Sequence, residues 1–293
     1  MLWAILAVAA LAAGLIGLCY WGAGVILYPP EKTPLSVFPE QFGMRYEKVN
    51  FRTRDGLTLR GWFAPSPSGQ KQTLLMCHGW GDNKGHLLER TYFLNTKAGY
   101  NLLYFDHRSH GESDGTITTI GYLELIDCEG AISFLREKHP ESLDHLGVFG
   151  LSMGGAVGIM TMAQHPEIKA AVIESSFTDY RKVVQQWAWN NMRIPYFPLV
   201  LVTLFFLRLR VGKPEVDSYS PIKFIPRIAP RPIFLIGGGD DLLMPEAEVR
   251  ALHEAAGQTK QLWIIPGAAH AQCFKVAGME YEERVIGFYR KHL

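Results

Sequence analysis

The chain carries no charge surplus of either sign: 29 Lys and Arg face 28 Asp and Glu in 293 residues, a formal net charge of +1. A nucleic-acid partner requires a cationic surface that displaces the counterions of the phosphate backbone, so none is expected. Cysteine is scarce, with only Cys19, Cys77, Cys128 and Cys273. These are too few for a disulfide framework and too dispersed in sequence for a close metal-ligand pair, and they read as free thiols. No H-E-x-x-H motif occurs, and the chemistry argued below requires neither metal nor cofactor. Internal repeats and low-complexity tracts are missing too. Charged residues make up 19% of the chain against 48% hydrophobic. That balance excludes disorder, because apolar burial can offset the conformational entropy lost on folding. The length fits one large domain with an appendage.

The longest stretch without any charge runs from Met1 to Pro30. Its apolar part, Leu2 to Leu27, exceeds the roughly 20 helical residues that cross a hydrocarbon core of about 30 Å. Trp3 at one end and Tyr20, Trp21 and Tyr28 at the other are spaced like interfacial anchors. A cleaved signal peptide would carry early Lys or Arg and a shorter apolar region, and bulky Leu18 before Cys19 does not suit a lipoprotein acceptor. The expectation is a single-pass membrane protein with residues 1–28 as its transmembrane anchor and the lipid bilayer as a partner. Lys32, Arg45 and Lys48 follow the span while no basic side chain precedes it, which places the remainder on the cytoplasmic side. Residues 29–43 contain Pro29, Pro30, Pro34 and Pro39, which forbid a continuous helix or a central strand and mark a linker.

From residue 44 to 293 the pattern is that of a sheet protein. Arg45 to Arg52 and Leu57 to Ala64 flank the hairpin signal Asp55-Gly56. Short apolar runs then follow at Thr73 to Cys77, Asn101 to Asp106, Leu146 to Gly150, Ala170 to Glu174, Pro232 to Gly237 and Gln261 to Pro266. Longer stretches of helical period separate them. This alternation predicts an α/β fold with a mostly parallel sheet and helices on both faces. Residues 176–220 interrupt the rhythm. Sites in such sheets lie beyond the carboxyl ends of the strands.

The residues that carry chemistry sit at those ends. Gly150-Leu151-Ser152-Met153-Gly154 is G-x-S-x-G between a strand and a helical run, the context in which the serine projects from a strained turn as a nucleophile. The alternative is a glycine-rich turn in which Ser152 merely caps the helix. His78-Gly79-Trp80-Gly81 follows the third extended segment, and its backbone can supply one oxyanion-hole donor, assigned to the N–H of Trp80, with the N–H of Met153 as the other. An acid loop, Gly238 to Pro245, offers Asp240 and Asp241, and Glu174 ends an earlier strand. His270, in a small-residue loop after the last strand, completes the order Ser, Asp, His and is the expected general base.

On these elements the chain from about Met44 to Leu293 resembles the α/β-hydrolase superfamily, most of all its membrane-anchored serine hydrolases with one N-terminal span, which carry esterase or peptidase-like labels. The likeness extends to Asp106-His107-Arg108-Ser109-His110-Gly111-Glu112-Ser113, similar to the family's D-x-R-G-x-G-x-S loop but with Ser109 and His110 replacing small residues. In relatives that loop is structural, so neither His107 nor His110 is given a catalytic role. The resemblance selects Asp241 over Asp240 as triad acid, from its distance to Pro245, and makes residues 176–220 a helical cap. That cap holds Trp187, Trp189, Tyr196, Phe197, Phe205 and Phe206, with Arg208 and Arg210 closing an apolar run. Serine at the elbow argues against the dehalogenases and epoxide hydrolases, which use Asp there. The function implied is a serine hydrolase that cleaves a small-molecule ester, thioester or lipid-like substrate through Ser152, Asp241 and His270. A serine peptidase acting on small peptides and a non-catalytic membrane-tethered binding protein stand as alternatives.

Overall fold

Short β-rich runs between turn residues build one eight-stranded sheet in the computed structural model, which describes residues 1–29 and 32–293. Its strands are β1 (Glu47–Arg52), β2 (Thr58–Ala64), β3 (Thr73–Cys77), β4 (Asn101–Phe105), β5 (Leu146–Leu151), β6 (Ile168–Glu174), β7 (Ile233–Gly238) and β8 (Lys260–Ile265), in the order β1-β2-β4-β3-β5-β6-β7-β8. The pairs β1–β2 and β2–β4 are antiparallel, and every other pairing is parallel. The expected segments match these strands to within two residues at each end, the usual spread for element boundaries.

Helices connect the strands: α1 (Leu2–Leu27), α2 (Lys84–Thr91), α3 (Phe93–Thr96), α4 (Glu124–Lys138), α5 (Met153–Gln164), α6 (Tyr180–Met192), α7 (Leu201–Val211), α8 (Pro221–Phe224), α9 (Glu246–Ala255) and α10 (Cys273–His292). All residues of β3 and β5 are buried, as strands covered on both faces must be. Their side chains alternate between two cores. Leu75, Cys77, Leu103 and Phe105 pack with residues of α4, α5 and α9 on one face. Leu74, Met76, Leu102 and Tyr104 pack with α2, α3 and α10 on the other.

Residues 176–220 form α6, a π-helical turn at Tyr196–Val200, and α7, and the chain reverses through 119° between the two helical arms. This pair rests on α1 rather than on the sheet alone. Ala23 and Leu27 are buried with Val184, Val200, Leu204 and Leu207, Cys19 Sγ donates to the Leu199 carbonyl at 3.4 Å, and the Tyr20 and Phe206 rings meet edge to face at 5.4 Å. The preceding part of α1, from Met1 to Leu18, is exposed along its whole length, which makes the helix a candidate transmembrane segment. The connection beyond it lies on the domain: Thr33 Oγ1 donates to the Gly81 carbonyl at 2.7 Å, and Leu35, Val37 and Phe38 pack against the core.

Candidate active site

Ser152 stands between β5 and α5 with φ 55° and ψ −117°, a conformation costly for any side chain. Sterics around it explain the flanking glycines. A Cβ on Gly154 would lie 2.0 Å from the Cys77 carbonyl oxygen, and one on Gly150 would lie 2.4 Å from the Gly154 oxygen. The Ser152 N–H donates to the Glu174 carbonyl at 2.9 Å, and its own carbonyl accepts from Gly155 and Ala156. Its side chain makes no cap bond to α5. Instead Ser152 Oγ lies 3.0 Å from His270 Nε2, and His270 Nδ1 lies 2.8 Å from Asp241 Oδ2. With a carboxylate oxygen accepting from Nδ1–H, Nε2 is left as the acceptor for the serine proton.

Neighbouring backbone explains why Asp241 holds this place. It is buried, and its Oδ1 accepts from the N–H groups of Leu243 at 3.0 Å and Met244 at 2.8 Å. Asp240 is exposed, and its own N–H donates to the Ala268 carbonyl. Glu174 is occupied elsewhere: Tyr281 Oη donates to it at 2.5 Å and the Cys273 N–H at 3.3 Å, and burial pushes its carboxyl up from the ordinary range.

The turn His78–Gly81 lies against the serine, since a Cβ on Gly79 would stand 3.4 Å from Ser152 Cβ. Two buried imidazoles hold it. The His107 N–H donates to His78 Nε2 at 2.9 Å, while His78 Nδ1 donates to the Gly79 carbonyl at 2.7 Å. The Gly81 N–H donates to His110 Nε2 at 3.0 Å, and His110 Nδ1 donates to the Arg108 carbonyl at 2.8 Å. Burial lowers the pKa of both rings, that of His78 well below the ordinary value. Both therefore stay neutral and keep the acceptor nitrogen these bonds need. Sequence reasoning left His78 and His110 without a role; the one available signal was His110 in a position where relatives carry a small residue.

Around this turn the Asp106 loop forms ion pairs, those of Lys84 with Asp106 and of Arg108 with Asp127 being buried on both sides. Lys84 Nζ contacts Asp106 Oδ2 at 2.5 Å with both side chains fully buried, and Arg108 joins Asp127 and Asp55, each at 2.8 Å. The fold also brings together residues that sequence spacing kept apart. Cys77 and Cys128 Sγ are 3.7 Å apart, and with His107 their possible ligand atoms all lie within 4.8 Å of one another. The reading that the cysteines are too dispersed to form a close pair is thus corrected, because adjacent elements bring the two thiols together in the core. All four cysteines are free thiols.

Ser152 and His270 open into a cleft that encloses about 740 Å³, open solvent included. Ser152, Met153 and His270 form its floor, and Trp80, Ile120, Phe177, Val184, Trp187 and Leu243 are among its apolar walls. The Trp80 indole N–H donates to the Ile26 carbonyl at 3.2 Å, so the last turn of α1 forms part of the rim.

A mostly parallel sheet entered through an antiparallel pair, with a serine elbow and a helical excursion after β6, defines an α/β-hydrolase. Esterase Pf2001 from Pyrococcus furiosus has this structure, with a TM-score of 0.77 at 26% identity over 91% of this chain and 98% of that one. Residues 68–220, just over half of the chain, match the family described as serine aminopeptidase, S33, and the protein belongs to that family. Among full-length relatives, YfhR of Escherichia coli K12 is 28% identical over 251 residues, covering 83% of this chain and 80% of that protein. Bem46 of Schizosaccharomyces pombe is 27% identical over 254 residues, covering 84% and 79%. Family and fold together make the chain a hydrolase.

Proposed function

We propose that the protein is a membrane-anchored serine hydrolase that cleaves a carboxylic ester or thioester bearing an apolar acyl group. Residues 1–28 serve as the anchor, 29–43 as the connection and 44–293 as the catalytic domain, with a cap at 176–220 and the domain on the cytoplasmic face. Supporting this reading above all is the line Asp241–His270–Ser152, with bonds of 2.8 and 3.0 Å. Ser152 Oγ attacks the carbonyl carbon and passes its proton to His270 Nε2, and Asp241 holds the imidazolium in place. The tetrahedral oxyanion sits between the N–H groups of Met153, at the start of α5, and Trp80, which donate to no protein acceptor among the described residues. Collapse expels the alcohol or thiol, which takes the proton from His270. Water then repeats the sequence on the acyl-enzyme.

The family description favours a second reading, a peptidase for small peptides. An amino terminus would call for an acidic partner, and among the described residues no carboxylate lines the cleft. That favours esters. The test is labelling of the full-length protein with a small fluorophosphonate. An adduct at Ser152 is expected, and Ser152→Ala should lose it together with at least a thousandfold in ester turnover. Labelling that persists in Ser152→Ala would overturn the assignment. Faster cleavage of peptide anilides than of matched esters would establish the peptidase instead.

A further inference from the structure

The cleft above Ser152 has an apolar neighbour. A second apolar groove, about 630 Å³ with open solvent included, lies in the seam between α1, α6 and α7, lined among others by Leu18, Gly22, Met192, Leu199 and Thr203. Val25, Ile26, Val184 and Trp187 line both spaces. The two spaces thus adjoin across these four apolar side chains, and among the described residues His270 and Cys19 are the only ionisable side chains that line either. The cap helices and the turn that frame this groove also expose apolar side chains that water does not favour: Trp189 is 49% exposed, Phe205 52% and Phe197 73%. Phe205 adjoins Phe206, whose ring meets Tyr20 of α1. Cationic side chains lie over rings there, with Arg210 above Tyr20 at 3.8 Å and Arg193 above Trp189 at 5.7 Å, an arrangement suited to the headgroup boundary.

We propose that this seam is a lateral portal through which the protein draws a long-chain acyl ester or thioester from the bilayer, so that α1 is a wall of the binding site as well as an anchor. The inference rests on the serine-hydrolase reading above and specifies its substrate. The acyl tail lies in the seam along Leu18 to Ile26, about 12 Å of helix, while its carbonyl reaches Ser152. The polar leaving group stays on the aqueous side of the cleft. Two hydrogen bonds hold this wall in place, from Trp80 Nε1 to the Ile26 carbonyl and from the Thr118 N–H to the Leu27 carbonyl, at 3.2 and 2.8 Å.

The experiment uses full-length protein in phosphatidylcholine nanodiscs and a hexadecyl fluorophosphonate with a photoreactive diazirine at the chain end. After reaction at Ser152 and irradiation, crosslinks mapped by mass spectrometry should fall in α1 between Leu18 and Ile26, in α6, or in the Leu199–Thr203 stretch. Crosslinks confined to other elements would overturn the portal. In parallel, Val25→Trp should lower the ratio of kcat/KM for a bilayer-embedded hexadecanoyl ester to that for a soluble butanoyl ester at least tenfold. Leu6→Trp, on the exposed part of α1, should leave both unchanged. An equal loss on the two substrates in Val25→Trp would count against the portal while leaving the hydrolase reading standing. Failure of the small fluorophosphonate to label Ser152 would remove both.

Discussion

Asp240 and Asp241 differ by one position and by nearly everything physical. One is exposed at the edge of its loop, and the other is buried with one oxygen on two backbone N–H groups and the other on His270. Asp241→Asn replaces the acceptor with an amide that favours the wrong imidazole tautomer, so kcat should fall by about 10⁴, while Asp240→Asn should stay within about threefold. Steady-state ester hydrolysis by the two purified variants checks this; equal losses would move the triad acid elsewhere. Chain order alone was enough to nominate Ser152, an acid in the Gly238–Pro245 loop and His270. It could not separate the two aspartates, because burial belongs to the folded state. The part played by His78 and His110 was illegible for the same reason. Their bonds run to backbone groups of segments about 30 residues away.

Among elements, the strands were legible and the supports beneath the site were not. Period and turn chemistry locate β3, β5 and β7, since buried strands have to be short, apolar and bounded by breakers. Nothing in local pattern reveals that Lys84 enters the core beside Asp106, where it also lies 4.9 Å from the Trp62 ring. That pair ties the first turn of α2, whose Lys84 N–H also donates to Asp106 Oδ1 at 2.8 Å, to the loop after β4. Lys84→Met removes one partner and leaves a carboxylate buried without its cation. A loss of about 3–5 kcal/mol is expected from the denaturant midpoint of the full-length protein. A variant as stable as the parent would show that the pair contributes nothing to the fold.

At the scale of the whole molecule, acid sensitivity follows from the two neutral rings. Burial depresses the folded-state pKa values of His78 and His110, whereas in the unfolded chain each returns to about 6.5. The unfolded state therefore binds more protons in the window below 6.5. The stability these rings contribute is complete above that pH and is lost as pH falls toward the folded-state values, at up to about 1.4 kcal/mol per pH unit for each ring. Melting temperatures measured from pH 6.5 to 5 should fall with acid, and His110→Gln should flatten the slope. An unchanged slope would place the acid sensitivity in other groups. The domain's single sheet was foreseeable from the strand–helix rhythm, but the docking of α1 on α7 was not, because an apolar helix reads the same whether lipid or protein covers it.

The bond from the Trp80 indole to Ile26 has a mechanical consequence. In the proposed reading Trp80 also lends its own backbone N–H to the oxyanion site, so the helix that a bilayer would tilt when its thickness changes is attached through this single residue to that donor. In the proposed placement, hydrophobic mismatch is transmitted as a displacement of that donor over Ser152, and the lipid composition around the protein sets its turnover without binding to any regulatory site.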